Sequence, residues 1–270
     1  MKKLMAMLVM AMVLSGCKIL DPNTDVKDHK ASFLLNNVQY CTLGYLSDSF
    51  NDGTRDDMLN KCKNNGDTLF YIMTHSENPA ENINPFVGDW SQFGLTVDEN
   101  KMKNWDKRIQ RVFDKGLVPV IWMYCDDFGK VKRLSSERRN KYIDEMVKRF
   151  DKYANCYVIG IEEDETMGLG IAQETASRLK MRTKKPIGSH QLPGHSNYAP
   201  SIPEVSIHFH QYNLNLSEAQ MKSETSKHIN AIGGKKFIAA EYNRSSESNQ
   251  AKAQGQAAMS AGANGTGNGR

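Results

Sequence analysis

The sequence predicts an α/β fold, a (β/α)8 TIM barrel that is incomplete or atypically closed at its C-terminus. Three observations lead there. Short apolar runs of strand length recur, each is followed by a polar segment with helical periodicity, and carboxylates, imidazoles and aromatics gather where the runs end. Strands alternating with helices are the pattern of βαβ units around a parallel sheet, and about 250 residues is the usual length of eight such units closed into a barrel. A doubly wound sheet is the main competitor. No Gly-x-Gly-x-x-Gly follows the first run and the chain carries no P-loop, so the nucleotide-binding forms of that competitor lose support.

Taken in order, the first apolar run is Val38 to Tyr45, followed by a helix over Arg55 to Asn65 that Gly66 closes. The second run is Thr68 to Met73; Met102, Trp105, Ile109, Val112 and Phe113 then mark the buried stripe of a helix closed by Gly116. Leu117 to Tyr124 is the third run, with Ile143, Met146, Val147 and Phe150 at helical spacing behind it. Tyr157 to Ile161 is the fourth, with a weaker helix from about Gly170 to Met181, and Pro186 to Ser189 is a short fifth. Val205 to Phe209 is the sixth, with a helix from about Ser217 to Ile232. Lys236 to Ala240 is the seventh, with an Ala-rich helix from about Asn249 to Ala261, and Ala263 to Gly269 is a Gly-rich eighth strand. No helix is evident between Gln191 and Glu204, and none follows the eighth run, which is why closure is expected to be atypical.

Ahead of the first run the chain reads as an export segment. Lys2 and Lys3 precede an apolar stretch from Leu4 to Leu14, too short for a span of roughly 20 residues. Leu14-Ser15-Gly16-Cys17 resembles the lipobox of bacterial lipoproteins. The resemblance implies cleavage of residues 1–16, acylation of Cys17 with palmitate-type chains, and a membrane anchor, with Lys18 leaning towards the outer membrane. Residues 17–36 are polar, carry Pro22 and suit a flexible tether, which leaves 37–270 as the barrel domain. Without the signal the formal charge falls from +4 to +2, with 33 basic against 31 acidic residues, and no basic block remains. Nucleic acid is therefore not an expected partner. Cys41, Cys62, Cys125 and Cys156 show no Cys-x-x-Cys pattern, and disulfides and buried free thiols both stay open.

In a parallel barrel the residues just beyond each strand line the active-site mouth. Here they are Thr74-His75 after the second run, Trp122 to Asp127 at the third, Glu162-Glu163-Asp164-Glu165 after the fourth, Ser189-His190-Gln191 at the fifth, His208 to Asn213 at the sixth, and Glu241-Tyr242-Asn243 after the seventh. Charged hydrogen-bonding groups beside aromatic faces suit a sugar. The segment Ala239-Ala240-Glu241-Tyr242-Asn243, the segment Ile159-Gly160-Ile161-Glu162-Glu163, and His210-Gln211-Tyr212 resemble the nucleophile, acid/base and sixth-strand segments of the clan A glycoside hydrolases. Gln256 to Gly265 resembles the closing passage of their apiosidase-like branch.

The resemblance implies a retaining glycosidase that needs no cofactor and no metal. Glu241 would be the nucleophile and Glu163 the acid/base, with Glu162 in the position usually held by Asn; Glu165 preceded by Asp164 is the other assignment of the acid. Carbohydrate contacts are expected from His210, Tyr212, Trp122, His190, Glu162 and Asn243, with Tyr212 touching the nucleophile. Glu163 should hold its proton, through burial and through the charge of Glu241. The substituted Asn position and the short chain favour a second possibility, a surface carbohydrate-binding protein without turnover, and no Trp follows the eighth strand, where many members of the family keep an aromatic platform. A third is a metal-dependent hydrolase built on His208, His210, His190 and a carboxylate.

Overall fold

The computed structural model describes residues 43–78, 82–125, 129–195, 197–243 and 248–267. The signal segment, Cys17, the tether and Cys41 lie outside the described residues. Seven parallel strands, β1 (Leu69–Met73), β2 (Val118–Tyr124), β3 (Cys156–Gly160), β4 (Ile187–Gln191), β5 (Ile207–Gln211), β6 (Lys236–Ala240) and β7 (Gly265–Gly267), pair in sequential order. The helices are α1 (Asp52–Asn64), α2 (Glu99–Asp114), α3 (Ser136–Phe150), the single turn α4 (Glu163–Thr166), α5 (Leu169–Arg182), α6 (Glu218–Ala231) and α7 (Asn249–Ser260). Polar side chains cap their first turns: Asn51, Asp98, Ser135 and Ser248 each accept a backbone N–H, and Ser217 forms a capping box with Gln220.

The sheet is curled rather than open. β1 and β5 are four places apart, which at about 4.8 Å per strand would separate them by roughly 19 Å in a flat sheet. Yet the rings of Tyr71 and Phe209 stand 5.9 Å apart, and those of Trp122 and Phe209 5.5 Å. The strands therefore wrap round a shared interior, as in a TIM barrel. Among the described residues β7 does not pair with β1, so the ring stays incomplete there.

One expected strand is not a strand. Leu43–Leu46 is a 3-10 helix, and the rest of the Val38 to Tyr45 run lies outside the described residues. Tyr45 and Leu46 are fully buried, and the Tyr45 ring packs edge-on against Phe70 at 5.0 Å. A short apolar run reports burial, and burial alone does not distinguish a strand from a helical turn. The buried Arg55 of α1 holds the turn in place by donating to the carbonyls of Tyr45 and Ser47.

Most of the apolar interior forms one large cluster running from Tyr45 to Ala240. A smaller second cluster lies under α6 and α7 and includes Tyr212, Met221, Phe237, Tyr242 and several alanines. Cys62, Cys125 and Cys156 are buried free thiols, inside the packing and unbridged.

Gly160 closes β3 where space is shortest. A Cβ there would meet the Tyr124 carbonyl oxygen at 2.8 Å, and that oxygen is fixed because it accepts the Ile161 N–H at 2.7 Å. Gly160→Ala is expected to cost about 1–3 kcal/mol by overpacking, read as a lower urea midpoint. An unchanged midpoint would contradict this packing.

Candidate functional site

At the exit of β3, carboxylates take over as acceptors where the pairing with β4 ends. β3 pairs with β4 only through Tyr157↔Ile187 and Val158↔Gly188, while β4 continues to Gln191. Beyond that point the His190 N–H donates to Glu163 Oε1 at 3.0 Å and the Leu192 N–H to Asp164 Oδ1 at 3.3 Å. The Glu162 N–H in turn donates to His190 Nδ1 at 3.1 Å. Asp164 also pairs with His195 at 3.0 Å, a contact that no sequence motif signals.

Glu163 is fully buried, and burial holds its carboxyl well above the usual carboxylate range. Asp164 adds to the shift as a neighbouring negative charge, whereas the Ser189 hydroxyl and the His190 N–H oppose it. The direction expected for Glu163 is the one observed, with Asp164 as the charged neighbour where Glu241 was expected. Glu165 is exposed, and its backbone carbonyl accepts a bond from Lys132.

Glu162 and Glu241 share an unusual backbone. Both follow a strand, both are half-buried, and their φ values are 48° and 46°, in the left-handed region that non-glycine residues seldom occupy. Such strain concentrates at functional sites. Glu241 is clamped there by its N–H to the Gly267 carbonyl at 2.8 Å and by the Tyr212 N–H to its own carbonyl at 3.2 Å. The expected meeting of Tyr212 with Glu241 is thus made by backbone atoms.

The remaining expected sugar contacts take other places. The Tyr212 hydroxyl is within 2.7 Å of Thr225 Oγ1 on α6, so the ring lies between sheet and helix. His208 and His210 alternate with the inward Phe209 and consequently face outwards. His210 stacks on His228 of α6 at 3.7 Å between ring centroids, and His208 Nε2 lies 3.4 Å from His210 Nδ1. His228 joins this cluster from a distant helix, so no local pattern announces it. Asn243 donates to Gln254 on α7 at 2.8 Å. Trp122 and His190 pack edge to face at 5.0 Å in the barrel interior, 1% and 0% exposed, with Tyr71 and Phe209 on the Trp122 ring. Of the expected set, Trp122, His190, His210 and Tyr212 are buried in the frame, Glu162, Glu241 and Asn243 are half-buried, and Glu165 is exposed. Among the described residues no group of three His, Cys, Asp or Glu side chains is arranged to hold a metal ion.

No protein-family model matches the chain, and no curated protein sequence matches it. Solved structures do. An exo-β-1,4-mannosidase from Opitutaceae bacterium strain TAV5 superposes with a TM-score of 0.61 at 12% identity, over 86% of this chain and 51% of that one. A glycoside hydrolase family 5 protein from Bacteroides vulgatus gives 0.59 at 12%, over 85% and 56%. A family 5 enzyme from Prevotella bryantii B14 gives 0.60 at 11%, over 88% of both chains. The chain spans about half the length of the first two. The shared feature at these identities is the fold, a TIM barrel of the kind glycoside hydrolases use.

Two pH effects of opposite sign follow from the burial. Glu163 has a raised folded-state pKa, so above the ordinary carboxylate value the unfolded chain ionises while the folded one keeps its proton, and stability falls as pH rises. Glu163→Gln cannot ionise and keeps an oxygen for the His190 N–H. Its stability should match wild type near pH 4 and exceed it above, the gap widening by about 1.4 kcal/mol per pH unit until the raised value is reached. Urea titrations at several pH values measure this, and a gap independent of pH would refute it.

His190 and His208 behave oppositely, because burial pushes both down to about 3. Below their ordinary value of about 6.5 the unfolded chain takes up protons that the folded chain refuses. In the Glu163→Gln variant, which leaves Asp164 as the raised carboxyl acting in the other direction, stability should still fall as pH drops from about 6.5 towards 4.5, because each of the two histidines contributes about 1.4 kcal/mol per unit. A flat profile over that window would show that these imidazoles are not buried as described.

Proposed function

We propose that this chain is a retaining glycoside hydrolase acting on carbohydrate, carried on a membrane by a lipid at Cys17. The observation that carries the reading is the pair of glutamate-bearing strand exits, Glu162-Glu163 after β3 and Glu241 after β6, on a barrel of glycoside hydrolase shape. Glu241, half-exposed and clamped through its backbone at both ends, is the nucleophile that attacks the anomeric carbon. Glu163, kept protonated by burial, gives its proton to the leaving oxygen and then draws one from the water that hydrolyses the glycosyl-enzyme. Retention by this route requires the two carboxyl groups to work about 5–5.5 Å apart in the enzyme–substrate complex.

One observation favours a second reading, a carbohydrate-binding protein without turnover: Glu163 is fully buried and its Oε1 already serves the β4 backbone. The metal-dependent alternative has no comparable support, since His208 and His210 point at α6.

A screen of aryl glycosides and glycans separates the two readings. On a hydrolysed substrate, Glu241→Gln should abolish turnover, and Glu163→Gln should slow natural glycosides by about 10²–10⁴-fold while sparing substrates with activated aryl leaving groups. NMR of the first-formed product should show the starting anomeric configuration. Binding of a glycan without hydrolysis would move the assignment to the second reading, and an inverted product would rule out double displacement. Cys17→Ser should release the protein from the membrane fraction; continued retention of that variant would end the lipoprotein assignment.

A further inference from the structure

We propose that His190 is the positioning residue of the acidic turn, fixing through one side chain and one backbone N–H the placement of both glutamates that leave β3. The geometry stands alone, and only its catalytic consequence rests on the glycosidase reading.

The argument begins where β3 turns away from β4. The Ile161 N–H goes to Tyr124 in β2, so the next N–H, that of Glu162, leaves the ladder in a left-handed turn. His190 Nδ1 accepts it at 3.1 Å, and the His190 N–H goes to Glu163 Oε1 at 3.0 Å. Bonds thus run both ways between two successive glutamates and one residue of β4. A ring nitrogen that accepts an N–H carries no proton, so the neutral imidazole is protonated at Nε2.

The ring cannot readily turn away. It is fully buried, with Trp122 edge to face against it at 5.0 Å, and Trp122 is itself wedged between Tyr71 and Phe209. The same burial keeps the imidazole neutral, which preserves the acceptor at Nδ1 through the neutral pH range. Asp164 completes the set by accepting the Leu192 N–H, so β4 is tied to the turn at 190 and again at 192. Moving His190 would shift Glu162 and Glu163 together.

Two substitutions discriminate between holding the turn and merely filling space. Asn places an amide oxygen where His carries Nδ1, whereas Gln places its polar atoms near Nε2. In the ¹⁵N-labelled full chain, the His190 ring should show the neutral Nε2–H pattern, and the Glu162 amide should exchange slowly. His190→Asn should keep that protection within about twofold, and His190→Gln should lose roughly tenfold. An Nδ1–H pattern in the wild type, or Glu162 protection equal in all three proteins, overturns the proposal. If His190→Gln does not fold, the wild-type tautomer and the His190→Asn exchange rate decide.

On a glycoside that the wild type hydrolyses, His190→Gln should lower kcat about tenfold with KM little changed, and His190→Asn should restore most of it. Equal losses in both variants overturn the catalytic consequence. A wild type inactive on every glycoside would instead overturn the glycosidase reading, and amide exchange would still decide the role of His190.

Discussion

The curl of the sheet depends on a missing side chain. At Gly188 a Cβ would sit 2.6 Å from Cε2 of Phe209 and 3.2 Å from Val158, so the Phe209 ring occupies space that any other residue on β4 would claim. From there the ring reaches Tyr71 and Trp122 across the interior, and Trp122 in turn meets His190. Large residues on some strands and the smallest on another let the interior fill at ordinary packing density as the sheet wraps. Through His190, the placement of Glu162 and Glu163 follows from that filling.

The same packing creates a tension at the exit of β3. Once β3 has turned towards β2, the far end of β4 presents donors that need acceptors, and buried backbone groups seldom go unpaired. Carboxylates meet the need, which places ionisable groups where burial suppresses ionisation. A buried carboxyl with a raised pKa is what an acid catalyst requires, and it also follows from repairing a broken ladder. Structural repair and proton donation draw on one arrangement, which is why Glu163 serves both readings of the function.

The fold was largely legible because its signals are local. The runs that become β1 to β7, the buried stripes Met102–Trp105–Ile109–Val112 and Ile143–Met146–Val147–Phe150, and the glycines that end α1 and α2 are all written within a turn or a strand of themselves. Leu43–Leu46 departs because its apolarity records contact with Phe70 and carries no period. The site was legible in part. Strand-end position brought out the glutamates as candidates, whereas side-chain direction depends on register. His210 and Tyr212 turn outwards because Phe209 turns inwards, and Glu162 and Glu241 escape simple alternation through their left-handed backbones. The Asp164–His195 pair and the stacking of His228 on His210 join elements far apart in the chain, and nothing at either end announces the other.

The division of the apolar interior into two clusters has a consequence for motion. Alanines supply much of the smaller cluster, and an alanine buries far less apolar surface than the leucines, tyrosines and tryptophans of the larger one. Segments held by less buried surface open locally at lower free energy than the rest of a fold. Glu241 lies on that side, fastened to Gly267 and to Tyr212, while Glu162 and Glu163 are fastened to β4 within the larger cluster. The barrel mouth therefore has a firm wall and a yielding one. Local opening should begin on the side of α6 and α7, next to Glu241, before it reaches the turn that holds Glu162 and Glu163.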